Sequence, residues 1–106
     1  MKIVIDIDGT LCDEEDRDMS RRSPYVERIS KINALYDAGH EIYIFTSRGM
    51  RSTNNDPIAS DKKYRTFTED QLTRWGVRYH SLHFGKPVAD VYIDNLNKSI
   101  KDFFEE

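Results

Sequence analysis

The sequence predicts one α/β domain built as a three-layer α/β/α sandwich around a small, mostly parallel sheet. Three observations predict it. Short β-branched apolar runs alternate with stretches of helical periodicity, and that alternation implies parallel crossover units. The 106 residues suit a single domain, 1–106, with one modest core and no internal repeat, low-complexity segment or linker. The composition, 38% hydrophobic and 33% charged, is polar yet still globular, and the apolar residues are clustered, which argues against disorder.

The elements follow in order. Residues 2–7 (KIVIDI) read as a buried strand. Residues 12–22 are polar without a period and read as a loop. Ser23-Pro24 is a helix start, Ser as N-cap and Pro at the first helical position. Val26, Ile29, Ile32, Leu35 and Tyr36 keep helical spacing until Gly39 stops the helix. EIYIFT (41–46) is a second buried strand. Residues 47–66 form a long polar stretch, beyond ordinary loop length and hence a candidate functional loop. Thr68 with Gln71 makes a capping box for a helix through Trp75, ended by Gly76. VRYHSLHF (77–84) reads as a third strand and DVYID (90–94) as a fourth. Asn95 then caps a last helix with the face Leu96, Ile100, Phe103 and Phe104. The sheet is Rossmann-like in its connectivity.

The net charge of −3 argues against a bulk nucleic-acid binder but leaves a small anionic substrate open. The single cysteine, Cys12, cannot make an intramolecular disulfide and reads as a packing residue. With no signal-like or membrane-length apolar segment, a soluble cytoplasmic protein with no membrane partner is expected. His80 and His83 point to opposite faces of a strand, which is the wrong geometry for shared metal ligation. The acid run DEEDRD (13–18) reads as a solvated flap.

Ligands of an open parallel sheet bind beyond the carboxyl ends of its strands. The first strand delivers Asp6 and Asp8 there, the second Thr46, Ser47 and Arg48, the fourth Asp94 and Asn95. Residues two apart on an extended chain share a side, so Asp6 and Asp8 can face one small volume. Clustered carboxylates raise each other's pKa, and a hard divalent cation such as Mg2+ resolves the repulsion. Loop 48–65 adds Arg48, Arg51, Lys62, Lys63 and Arg65, a basic rim for the anionic part of a substrate.

The motifs DIDGT, FTS, GKP and YIDN, in that order over nearly the whole chain, resemble the haloacid-dehalogenase superfamily of phosphatases. FTSRGM, QLTRWGV and FGKPVADVYIDN look like the small capsule-biosynthesis phosphatases of bacteria. The resemblance implies an Mg2+-dependent phosphate-monoester hydrolase acting through an aspartyl-phosphate. Asp6 would be the nucleophile and Asp8 the acid and then the base. Thr46 would hold a phosphoryl oxygen and Lys86 would neutralise its charge, with Ser47 and Arg48 binding substrate. The metal would sit on Asp6, the Asp8 carbonyl and Asp94. Where many relatives have a second aspartate, this chain has Asn95. The segments between motifs are too short for a full cap domain, so the site is expected to be open or covered by a neighbouring subunit of a homo-oligomer. A small sugar phosphate is the expected substrate. Nucleotides or nucleic-acid ends are the alternative, as is a non-catalytic receiver-like or phospho-binding module.

Overall fold

A computed structural model describes residues 1–105. Three strands, β1 (Lys2–Ile5), β2 (Glu41–Thr46) and β3 (Ser81–Phe84), lie parallel in the order β1-β2-β3. Helix α1 (Val26–Asp37) connects the first two and α2 (Pro57–Arg74) the second two. A short helix, α3 (Ile100–Phe104), follows and rests against α1, where Lys31 Nζ donates to the Phe103 carbonyl. Both crossovers run the same way along the sheet, and right-handed crossovers then place α1 and α2 on one face.

Burial along the strands agrees. Ile42, Ile44 and Thr46 are fully buried, while Tyr43 and Phe45 between them are half-buried. The buried side joins Ile5, Ile7 and Leu82 to Ile29 and Ile32 of α1 and Leu72 of α2 in one cluster. Each such aliphatic side chain contributes about 1.5–3 kcal/mol by leaving water. The other face of the sheet is covered by no helix among the described residues, and Val4 there is 65% exposed. The parallel α/β class and the lack of a cap are as expected, and helices complete the sandwich on one face.

Element boundaries differ from the sequence reading for local reasons. β1 ends at Ile5 because the Ile7 carbonyl accepts from the Thr10 and Leu11 N–H groups and bends the chain. Ser23-Pro24 does not cap α1: Pro24 bridges to Cys12, and the helix starts after Tyr25 with no side-chain cap. α2 starts at Pro57, far earlier than the Thr68 box. Asp56 caps it, its Oδ1 accepting from the Ile58 and Ala59 N–H groups. Thr68 is buried within that helix, and the loop after β2 shrinks to 47–56. Residues 77–80 stay outside β3, with the Val77 and Arg78 N–H groups bonded to Leu72 and Asn33.

The largest correction concerns residues 90–94, which form no strand. Every residue from Pro87 to Asp102 is exposed. The reason is reach. The Lys86 N–H donates to the Thr46 carbonyl at 3.1 Å, which pins Lys86 above β2. A parallel strand on the free edge of β1, with Asp94 level with Asp6, must begin level with Lys2. That start lies two strand spacings across and at least five residues down from Lys86, roughly 19 Å away. The four peptide steps from Lys86 to Asp90 span at most about 14 Å. The chain cannot lay the whole of this strand on the free edge of its own β1.

Candidate active site

The carboxyl end of β1 sets two carboxylates in contrasting surroundings. Asp6 keeps 29% of its side chain exposed and faces Lys86 Nζ at 3.8 Å. Burial raises its pKa above the ordinary aspartate value. The Lys86 charge and the Ile7 N–H oppose that rise, and the nearby Asp8 and Glu14 carboxylates add to it. Lys86, the cation expected to neutralise the phosphoryl charge, reaches the rim. Its ammonium also lies over the Tyr92 ring, 4.4 Å from the centroid.

Asp8 is clamped. Arg48 donates from Nε to Oδ2 at 3.0 Å and from Nη2 to Oδ1 at 2.9 Å. Arg22 Nη1 adds a third contact to Oδ1 at 2.8 Å. Burial alone would raise this carboxyl, but the Arg48 hydrogen bonds and charge, with Arg22, outweigh it and hold the pKa below the ordinary value. Asp8 is thus an ionised, engaged carboxylate rather than a free acid. Cys12 lies beside it, its Sγ 3.5 Å from Asp8 Oδ1. Burial, then the Asp8 charge, pushes the thiol up to about 12, so it is inert packing.

The second strand delivers its residues differently from expectation. Thr46 is fully buried on the helix side, and its Oγ1 accepts the Arg48 N–H at 3.1 Å. Ser47, the next residue, lies beyond the end of β2 and is half-exposed. Ser47 is therefore the hydroxyl better placed for a ligand. Arg48 turns inward, with 1% of its side chain exposed, and also donates from Nη1 to Thr68 Oγ1. The basic rim expected over 48–65 is not gathered: Arg48 is spent on Asp8, and Arg65 pairs with Asp61 and with the Leu82 carbonyl.

Two site residues escaped the sequence reading. Arg22 sits after a 3-10 turn (Met19–Arg21), its Nε donating to the Asp16 carbonyl. Asp13 anchors the same loop by accepting the Ser23 N–H at 2.7 Å. The acid run is therefore a scaffold for Arg22 as well as a solvated surface. Glu14 is the other. Gly9 has φ +83°, and a Cβ built there would stand 3.0 Å from Glu14 Oε1. Gly9 thus makes room for Glu14. The only local signals were the glycine and the acid run.

For a metal, Asp6 and the Asp8 carbonyl are hard oxygen donors of the type Mg2+ takes, and Mg2+ commonly keeps several waters. Asp94, the third expected ligand, is not with them. It is exposed, its Oδ1 accepts the Leu96 N–H at 2.9 Å, and Asn95 is equally exposed. No cluster of three or more His, Cys, Asp or Glu side chains able to hold a metal exists among the described residues. The donor set of one chain fits Mg2+ in part. His83 bonds Ser81, and His80 accepts the Ile42 N–H, so neither histidine turns to the rim.

A family model described as haloacid dehalogenase-like hydrolase matches residues 3–69, well over half the chain and including every β1 and β2 site residue. The crystal structure of a target protein from Vibrio cholerae superposes with a TM-score of 0.92 at 25% identity. The superposition covers 99% of this chain and 88% of that one, so it extends through residues 87–105. None of the curated proteins compared matches the chain. No helix among the described residues is long and apolar enough to cross a membrane.

Proposed function

The chain belongs to the haloacid dehalogenase-like hydrolases, and on that premise we propose that it hydrolyses phosphate monoesters with Mg2+, through an aspartyl-phosphate on Asp6. The observation that supports this most directly is the pairing at the open rim of a half-exposed Asp6 with Lys86 at 3.8 Å, a nucleophile beside a cation suited to a phosphoryl group. One Asp6 oxygen attacks phosphorus, and the ester P–O bond breaks. The departing oxygen takes a proton from Asp8. Asp8 then takes a proton from the water that attacks phosphorus, and the bond to Asp6 breaks to release phosphate. The arginine clamp favours the second half, because it keeps Asp8 ionised. The first half needs Asp8 to take up a proton from solvent beforehand, which a phosphate dianion favours by drawing Arg22 away from it. Ser47 holds a phosphoryl oxygen. Asp6 and the Asp8 carbonyl would hold Mg2+, which would supply positive charge against the phosphate.

The substrate we favour is a small sugar phosphate, on the motif resemblance to the capsule-biosynthesis phosphatases. The protein acts in the cytoplasm on this reading. The two guanidiniums on Asp8 favour a second reading, a phospho-binding module without turnover. Phosphate release from an aryl phosphate and a sugar-phosphate panel, with and without Mg2+, separates the two. Asp6→Asn is expected to remove activity by at least about a thousandfold while keeping the fold. Retained activity in Asp6→Asn defeats the mechanism, and no turnover by wild type across the panel favours the binding module.

A further inference from the structure

We propose that the segment Pro87–Ser99 is an exchange arm. In this reading its stretch Asp90–Asp94 pairs with the free edge of β1 in a second copy of the chain and delivers Asp94 to that copy's Asp6. The placement of Asp94 rests on the phosphatase reading above, whereas the exchange itself rests on the fold.

Four observations converge. The arm is apolar where exposed loops are polar: Val91 is 69%, Ile93 93% and Leu96 85% exposed. Its sequence, Val-Tyr-Ile between two aspartates, has high strand propensity. β1 is an edge strand with a free side, and Val4 beside it is 65% exposed. An open edge and an unpaired strand-forming segment are complementary hazards, and pairing removes both. The full stretch Asp90–Asp94 does not fit its own β1 edge, because Lys86 is pinned at Thr46 and four peptide steps fall short of the level of Lys2. A hinge too short to fold back is the condition that drives exchange between copies. Finally, no group of three side chains able to hold a metal forms among the described residues, and Asp94 stands exposed at the end of the arm.

The occupant is a second copy rather than a foreign strand. The edge and the arm are both present in every chain, so one two-fold axis satisfies both at once and closes the assembly. The arm is a loop held at both ends, by Lys86 on one side and by α3 against α1 on the other. It therefore exchanges without unfolding α3. The superposition with the crystal structure covers 99% of this chain, so the arm lies within its span.

The test reads mass first. Wild type is expected to sediment at twice the 12.5 kDa of one chain at micromolar concentration. Val91→Asp/Ile93→Asp is expected to sediment as a folded monomer, with unchanged helical circular dichroism. A monomeric wild type, or a double variant that stays dimeric, overturns the exchange whether or not the protein is a phosphatase. Complementation then tests the delivery of Asp94. Asp6→Asn and Asp94→Asn are each expected to be inactive alone. Refolded together they regain about a quarter of wild-type activity, since half the dimers are mixed and each has one intact site. No regain from two inactive variants overturns the delivery, and so does a fully active Asp94→Asn. If wild type is a dimer without phosphatase activity, Mg2+ titration calorimetry decides: wild type is expected to bind more tightly than the monomeric double variant, and equal affinity overturns the delivery.

Discussion

Ile3–Asp6 reads Ile-Val-Ile-Asp and Val91–Asp94 reads Val-Tyr-Ile-Asp, yet Ile5 is 7% exposed and Ile93 is 93% exposed. The first stretch has β2 at 41–46 within reach of a full helical crossover, and its buried side lies under α1 and α2. The second follows a pinned Lys86 too closely to start level with Lys2 on the free edge of β1. Strand propensity is a preference for a pleated, half-buried surface, and it is realised only where the connection permits one. The comparison also separates the aspartates that end the two runs. Asp6 is set among Lys86, Asp8 and Glu14, whereas Asp94 is exposed and its Oδ1 accepts the Leu96 N–H.

Paired substitutions sharpen this contrast. The largest stability effect is expected at Asp8, which has no counterpart in the arm. Asp8→Asn leaves the Arg48 guanidinium buried without its carboxylate, which costs about 3–5 kcal/mol in urea unfolding at neutral pH. The sign with pH follows from the depressed Asp8 pKa. Its contribution is present above the ordinary aspartate pKa of about 3.9, and it is lost as pH falls through the depressed folded value. A variant as stable as wild type at neutral pH would show that the clamp does not form in solution.

Next in size is the aliphatic pair. Ile5→Ala is expected to cost about 2–4 kcal/mol, as a large-to-small change in a packed core. Ile93→Ala is expected to change single-chain stability by less than about 0.5 kcal/mol. Denaturation at dilutions where the chain is monomeric checks both, and equal losses at the two sites would erase the distinction between strand and arm.

The smallest effects belong to the aspartate pair, and here the sign is the test. Asp6 has a raised pKa, so its ionisation opposes the fold. Wild-type stability declines from this group as pH rises from the ordinary value through the raised one. Asp6→Asn is therefore expected to raise Tm at neutral pH, with the gain vanishing below pH about 4. Asp94→Asn is expected to leave monomer Tm unchanged at either pH. A loss of Tm in Asp6→Asn would mean that the Lys86 contact outweighs desolvation.

Much of the rim was legible because its signals are local. The short apolar run Ile42–Phe45 marks a buried strand, and Asp6-Ile7-Asp8-Gly9 announces two carboxylates and a turn within four residues. The start of α2 was legible too, in Asp56-Pro57, the same type of signal as Ser23-Pro24. The cationic, solvent-facing Lys62 and Lys63 made the first turns of that helix look like loop. The clamp on Asp8 was not legible. Arg48 lies forty residues away, and its inward turn depends on Thr46 and Thr68 accepting its donors. Glu14 and Arg22 sit in a loop without periodicity, and only its folded course brings them to Asp6 and Asp8.

The sequence by itself determined the parallel α/β class, the order of the first elements and the acid pair at the end of β1. Those features are set by nearest neighbours: side-chain alternation, crossover handedness and backbone turns. Tertiary structure alone decided which charges meet at the rim and that Thr46 is buried while Ser47 is open. It also decided that DVYID stays out of the sheet. Those outcomes depend on distances across the fold, and the last turns on a single hydrogen bond from Lys86 to Thr46 that leaves the chain a few ångströms short.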